Sequence, residues 1–343
     1  MEVMKGKVTS FDIAYKAGVS QSTVSRAMSG SPLVSEETRQ HILQIAREMN
    51  YTVDKSASNL RKQYSATLAV LIFEDPTIDD SLINPFFLTL LGSIIKAGAS
   101  HNYDVLMSFQ NADTDWHAVY QDSNKADGLL LLGYGDFVSS RTILERLEES
   151  GTRFVRWGDA SSDAPGISIG SDNRQGGFDA TKHLISSGRS RIAFLGDASE
   201  HRPEFRARYQ GYRDALDANG VEFDPELHVS IADSLEELGE RATLALLDHD
   251  ASFDAVFAAS DLLAIGAMHA LQSRGLRVPE DVAVIGFDDI ALARSTTPPL
   301  TTVRQNTKLA GTMMVDTLVA LLLNDKEASS QLLPSELVVR GSA

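Results

Sequence analysis

Residues 21 to 26 read Gln-Ser-Thr-Val-Ser-Arg, a run that offers hydrogen-bonding side chains at every position but one. Glutamine pairs with adenine in a major groove, arginine with guanine or a phosphate, and short hydroxyls let a helix approach closely. An ordinary solvent face would carry lysine and glutamate instead. Gln21, Ser22, Thr23, Ser25 and Arg26 are therefore expected to point outward, with Val24 packed inward. Other chemistries fail on context. "GISIG" (166–170) fits Gly-x-Ser-x-Gly, but the hydrolase elbow needs a strand before it and a helix directly after. Here Pro165 precedes it, Ile167 and Ile169 make a short strand of their own, and "GSDNRQGG" reads as a crossover turn. "GYGDF" lacks the third glycine of a dinucleotide loop. The eight histidines show no metal spacing such as H-E-x-x-H. No catalytic residue, no metal and no cofactor are expected, and the chain reads as a non-enzyme.

The elements that must position the 21–26 run are short helices. Ser10 to Ala17 places Phe11, Ile13, Ala14 and Ala17 near one face, and Gly18 permits a turn. Ser20 suits the cap of a second helix, with Val24 and Met28 as its inner side. Ser35 starts a third, with acids in its first turn and the stripe Ile42, Ile45, Ala46, Met49. Two helices joined by "AGVS" match helix-turn-helix logic. Charge agrees: residues 1–63 hold nine Lys/Arg against six acids, while the remainder holds 22 against 41. A basic head on an acidic body fits one end meeting phosphate while the body stays clear.

From Thr67 the pattern changes. Nine apolar, strand-like runs, from "TLAVLIF" to "VAVIGFDD", alternate with helix-length amphipathic segments. Such runs indicate parallel sheets covered on both faces, in two doubly wound lobes. The expected fold is thus α/β, with ligands bound at strand C-termini in a cleft between lobes. With no cysteine, no membrane-length apolar run and no h-region in "MEVMKGKVTSFDIAYKAG", a cytoplasmic location and no membrane partner are expected.

The stretch "VTSFDIAYKAGVSQSTVSRAMSGSPLVSEETRQHILQIAREMNY" resembles the DNA-binding head of the lactose/galactose repressor family of bacterial transcriptional regulators. The likeness continues through the linker and through "VGxDN"-like, "GY" and "GFDD"-like stretches to "PPLTTVRQ" and "LPSELVVRG", covering nearly the whole chain. It implies a helix-turn-helix DNA-binding domain at 1–50, a linker and hinge helix at 51–65, and an effector-binding, periplasmic-binding-protein-like domain at 66–343. Within the last, the N-lobe would take 66–170 and 303–331, and the C-lobe 171–300 and 332–343. Gln21 and Ser22 would be the main base readers with Arg26 beside them, and Thr23 and Ser25 would hold phosphates. Leu60 would wedge into the central minor groove and Ala57 allow close approach of paired hinge helices. Thr52 and Val53 stand where the family has Arg-Pro.

The resemblance also assigns a pocket. Phe86 and Phe87 in "NPFF" would line it, Arg208 would be its arginine with Arg206 near, and Asp288 in "GFDDI" its carboxylate. Arginine and aspartate suit neighbouring hydroxyls, and aromatic faces suit sugar rings. Arg156 and Trp157 in "FVRWGD" depart from the family pattern and are expected to reach the cleft, with a register ambiguous by one residue. Ser260 replaces a common asparagine. The implied protein is a homodimeric repressor of carbohydrate-utilisation genes, released from palindromic double-stranded operator DNA by a sugar. A purine- or phosphosugar-type corepressor, which would tighten DNA binding, stays open. A two-lobed solute-binding protein fits less well, because the chain carries the head instead of a signal peptide, and a sugar-modifying enzyme fits less well because no nucleophile, base or metal cage stands out. No leucine heptad follows "LVVRGSA", so a dimer rather than a tetramer is expected.

Overall fold

The computed structural model of the chain describes residues 8–51, 64–73, 83–110, 115–133, 136–160, 164–249, 252–325 and 327–343. Two compact units divide it, Met1–Ser65 and Ala66–Ala343.

In the head, α1 (Ser10–Ala17), α2 (Gln21–Met28) and α3 (Glu36–Glu48) form a three-helix unit. A capping box starts α1, the Thr9 amide donating to Asp12 at 2.8 Å. Gly18, at φ 66°, ends it in the left-handed conformation that a side chain disfavours. Ser20 and Ser35 cap α2 and α3 by accepting from the Thr23 and Thr38 amides. Ile13, Ala14, Val24, Ala27, Ile42, Ile45 and Ala46 make the core. Phe11 is not part of it: it stands 69 % exposed. At about 100° per residue the inner face of α1 carries positions 10, 13, 14 and 17, which turns Phe11 outward.

The body holds two six-stranded sheets. The first has order β11-β5-β4-β3-β1-β2 and is parallel throughout, from β1 (Thr67–Phe73), β2 (Asp104–Gln110), β3 (Gly128–Leu132), β4 (Phe154–Trp157), β5 (Ile167–Ser171) and β11 (Gln331–Leu333). The second has order β12-β10-β9-β8-β6-β7, from β6 (Ile192–Leu195), β7 (His228–Val229), β8 (Ala255–Ala258), β9 (Ala283–Asp288), β10 (Thr301–Gln305) and β12 (Ser335–Val338). Among the described residues only β12 runs antiparallel, against β10. Helices α4 (Pro85–Ser100), α5 (Phe137–Glu149), α6 (Asn173–Ser186), α7 (Pro203–Ala218), α8 (Glu236–Asp248), α9 (Asp261–Ser273) and α10 (Thr307–Leu322) connect and cover the strands. Strand β3 is buried along its whole length, as a central parallel strand must be.

Nine apolar runs were expected as strands, and the described residues contain twelve. The additions, β10, β11 and β12, are short or polar and carry the chain back between the sheets. The crossings fall at Asp172, Asn306 and Pro334, so β10 belongs to the second sheet rather than to a first lobe resuming at 303. The "DNRQGG" stretch is likewise the opening of α6, capped by Asp172. No helix among the described residues is long and apolar enough to cross a membrane.

Candidate functional site

In the head, Ser22, Ser25 and Arg26 are exposed on α2, while Gln21 and Thr23 are half-buried. Ser20 gathers the hydroxyls at the helix start, its Oγ lying 2.8 Å from both Ser22 Oγ and Thr23 Oγ1. Gln21 reaches sideways, its Nε2 donating to Ser10 Oγ at 3.2 Å. Hydroxyls at a helix N-terminus, with no acid in the first turn of α2, suit a phosphate backbone and base edges. Ala57 and Leu60 lie outside the described residues.

In the body, a cavity of about 170 Å³ opens between the lobes at the C-terminal ends of β9 and β10, lined by Phe86, Thr89, Asp288, Asp289, Arg304 and Gln305 among others. A larger one, about 290 Å³, sits by Ile192, at the start of β6, and contains none of the expected residues. Doubly wound folds bind ligands at strand C-termini, so the smaller cavity is the candidate.

Phe86 brings the first lobe to this cavity. Asn84 caps α4 through the Phe86 amide, fixing the ring at the helix start. It packs edge-on to Phe87 at 5.3 Å and lies 5.7 Å from the Trp157 ring. Trp157 therefore belongs to this aromatic wall, behind Phe86. Arg156 does not: successive strand residues face opposite sides, and its guanidinium sits 6.0 Å from the Phe137 ring on the other face of the sheet.

From the second lobe come Asp288 and Arg208. Arg208 is buried on α7, its Nη1 3.6 Å from Asp288 Oδ1, its Nε donating to Asn173 Oδ1 at 2.8 Å. The Ala259 carbonyl accepts from Nη1, and the Phe287 ring lies 3.8 Å from the guanidinium carbon. Gln305 donates to Asp288 Oδ1 at 2.6 Å. Burial pushes the Asp288 carboxyl up to about 6, against the pull of Arg208 and Gln305. Asp261 behind it is wholly buried; burial and the neighbouring Asp288 charge hold it well above the usual carboxylate range, although Thr302 and the Ile290 amide donate to it.

Two further expected residues are, like Arg156, placed elsewhere. Arg206 is exposed, about 200° around α7 from Arg208. Ser260 is buried and caps α9 by accepting from the Leu263 amide at 3.4 Å. Asn173, Phe287 and Gln305 were not singled out, although each adjoins a recognised stretch. Asp289 was also passed over; its carboxylate is bound by Arg304 Nε at 2.7 Å and by Arg340, with Arg294 at 3.5 Å. The "GISIG" serine is no nucleophile: Ser168 is mid-strand, buried, and donates to the Gly158 carbonyl at 3.1 Å. No group of three or more metal-ligating side chains occurs among the described residues.

A helix-turn-helix head joined to a two-lobed body with a polar cleft defines a ligand-responsive DNA-binding transcriptional regulator, not an enzyme. Residues 11–54 match the bacterial regulatory proteins of the lacI family, and residues 181–343 a periplasmic binding protein-like domain. The chain is 32 % identical over 336 residues to the transcriptional regulator CelR of Thermobifida fusca, covering 96 % of each. It is 33 % identical over 338 residues to the repressor CytR of Escherichia coli, covering 96 % and 95 %. Among solved structures, a CelR–cellobiose complex matches with TM-score 0.73 at 31 % identity, over 98 % and 100 % of the chains. The lac repressor dimer bound to operator and an anti-inducer matches with TM-score 0.85 at 26 % identity, over 98 % and 99 %. The chain belongs to the lacI family of bacterial regulatory proteins.

Proposed function

We propose that the protein is a cytoplasmic, homodimeric repressor of carbohydrate-utilisation genes, released from a pseudo-palindromic operator when a sugar enters the interlobe cleft. The single observation that carries the ligand class is the buried Arg208–Asp288 pair, whose carboxylate shares a cavity with the Phe86 ring. Paired donor and acceptor groups suit vicinal hydroxyls, and aromatic surface suits the apolar face of a sugar ring. Relatives solved with cellobiose and with ribose support the same class.

On this reading residues 1–50 form the DNA-binding domain, 51–65 the linker with Ala57 and Leu60 at the paired hinge, and 66–343 the effector domain. Gln21, Ser22 and Arg26 read bases, while Thr23 and Ser25 hold phosphates. Two heads would engage half-sites about one helical turn apart. A dimer is further supported by exposed Leu88 and Ile95 on α4 beside exposed Met107 and Phe109 on the edge strand β2.

A thermal-shift screen of sugars and purines tests the reading. A sugar is expected to raise the melting temperature and weaken operator binding, and Arg208→Lys should lose that shift while retaining the operator. A purine that raises the melting temperature and tightens operator binding would replace induction with corepression.

A further inference from the structure

We infer that Ser10 is a positioning residue for base readout, its hydroxyl orienting the Gln21 carboxamide and so setting the head's preference at one base pair. The inference rests on the proposal that α2 reads a major groove. Ser10 and Gln21 are the first residues of α1 and α2, eleven positions apart, and the Nε2–Oγ bond joins the two helix starts. Both side chains are half-buried. Ser10 occupies the inner face of α1 together with Ile13, Ala14 and Ala17, where an aliphatic side chain would otherwise serve packing. A hydroxyl in such a place loses hydration and is tolerated when bonded. The bond also has a consequence for Gln21. A free glutamine samples many rotamers and must order on DNA. With one amide hydrogen given to Ser10, the second hydrogen and the carbonyl oxygen remain, the donor and acceptor that adenine N7 and N6 require. The first helix of the head would thereby hold the reader on the second.

The test uses the full-length protein. Selection from a pool of randomised duplexes defines a preferred operator. Binding is then measured to every single-base variant of it and to a scrambled duplex, at one fixed salt concentration. Gln21→Ala is expected to flatten the preference at one position per half-site. Ser10→Ala should reduce discrimination at that same position by about threefold to tenfold, the equivalent of one net hydrogen bond. Affinity for the scrambled duplex should stay unchanged, Ser10→Thr should keep the wild-type profile, and Ser10→Ala should add nothing to Gln21→Ala. If Gln21→Ala flattens a position and Ser10→Ala leaves it intact, the positioning role is wrong while groove reading stands. A uniform loss over all sequences in Ser10→Ala also overturns it, as a purely structural effect. If Gln21→Ala flattens no position, groove reading by this residue fails, and the inference with it.

Discussion

Asp288 ends β9 with φ at 120° and Asp289 follows at 51°, both in the region that side chains disfavour. Each such conformation costs about 1–3 kcal/mol and persists where neighbours hold it. The holders differ, and so do the two carboxyls. Burial raises Asp289, but hydrogen bonds from Arg340 and Arg304 outweigh it and keep the group below its ordinary value. For Asp288 burial prevails, and its value rises from 3.8 to about 6. A carboxyl with a raised folded value binds its proton more tightly when folded. Its contribution to stability is complete below 3.8 and lost as the pH climbs through about 6. Asp288→Asn imitates the protonated state at every pH. Its stability relative to wild type should therefore rise as the pH climbs from 4 to 7. Urea unfolding of both proteins across that range measures the gap, and a gap constant with pH would mean that Asp288 titrates alike folded and unfolded. The same variant should lose the ligand, since an amide offers one acceptor where the carboxylate offers two.

Arg208 reaches Asp288 because α6 and α7 pack backbone to backbone. A Cβ on Gly177 would lie 2.2 Å from the Arg208 carbonyl oxygen, and one on Gly211 would lie 2.0 Å from that of Arg174. Neither backbone can yield without separating the helices and stretching the Arg208–Asn173 bond. Gly211→Ala is expected to cost about 1–3 kcal/mol and to diminish the sugar-induced thermal shift. A variant that melts and responds like wild type would show that the helices can slide apart without moving Arg208. This packing was not legible in the sequence, where "GSDNRQGG" reads as a crossover turn and "GY" only as a motif. What was legible was whatever local chemistry decides. Ser20 and Ser35 cap their helices through their own first turns, and nine strands announce themselves as continuous apolar runs. Strand β10 hid because Thr301, Thr302 and Gln305 bury polar groups in tertiary hydrogen bonds that no periodicity reveals. Arg208 and Asp288 stood at recognisable positions, whereas Asn173 and Gln305 are found only through the bonds they make to them. The misplacement of Arg156 beside Trp157 was avoidable, since strand alternation alone sends the pair to opposite faces.

The two lobes of the body are joined by three chain crossings, and across the cleft they meet again without a covalent link. The Phe137 amide donates to the His201 carbonyl at 3.0 Å, and Asp136 Oδ2 lies 2.7 Å from His201 Nδ1. The Asp159 amide donates to Glu204 Oε1 at 3.2 Å. These contacts exist only while the lobes are this close, so they favour the closed arrangement over an open one. The Asp136–His201 pair is half exposed and contributes little, on the order of 0–1 kcal/mol. The half-buried Glu204 bond is the stronger candidate, with a net worth of about 0.5–1.5 kcal/mol. Glu204→Ala should shift the unliganded body toward open. A ligand that needs both lobes then binds with an affinity reduced in proportion to the closed fraction lost, by up to about tenfold. Because that energy is withdrawn from the interlobe equilibrium and not from either core, the melting temperature should change little. Solution scattering should show a larger radius of gyration for the variant without sugar and the wild-type value at saturation. Wild-type scattering together with wild-type affinity would mean that the crossings alone set the cleft, and that Glu204 takes no part in closing it.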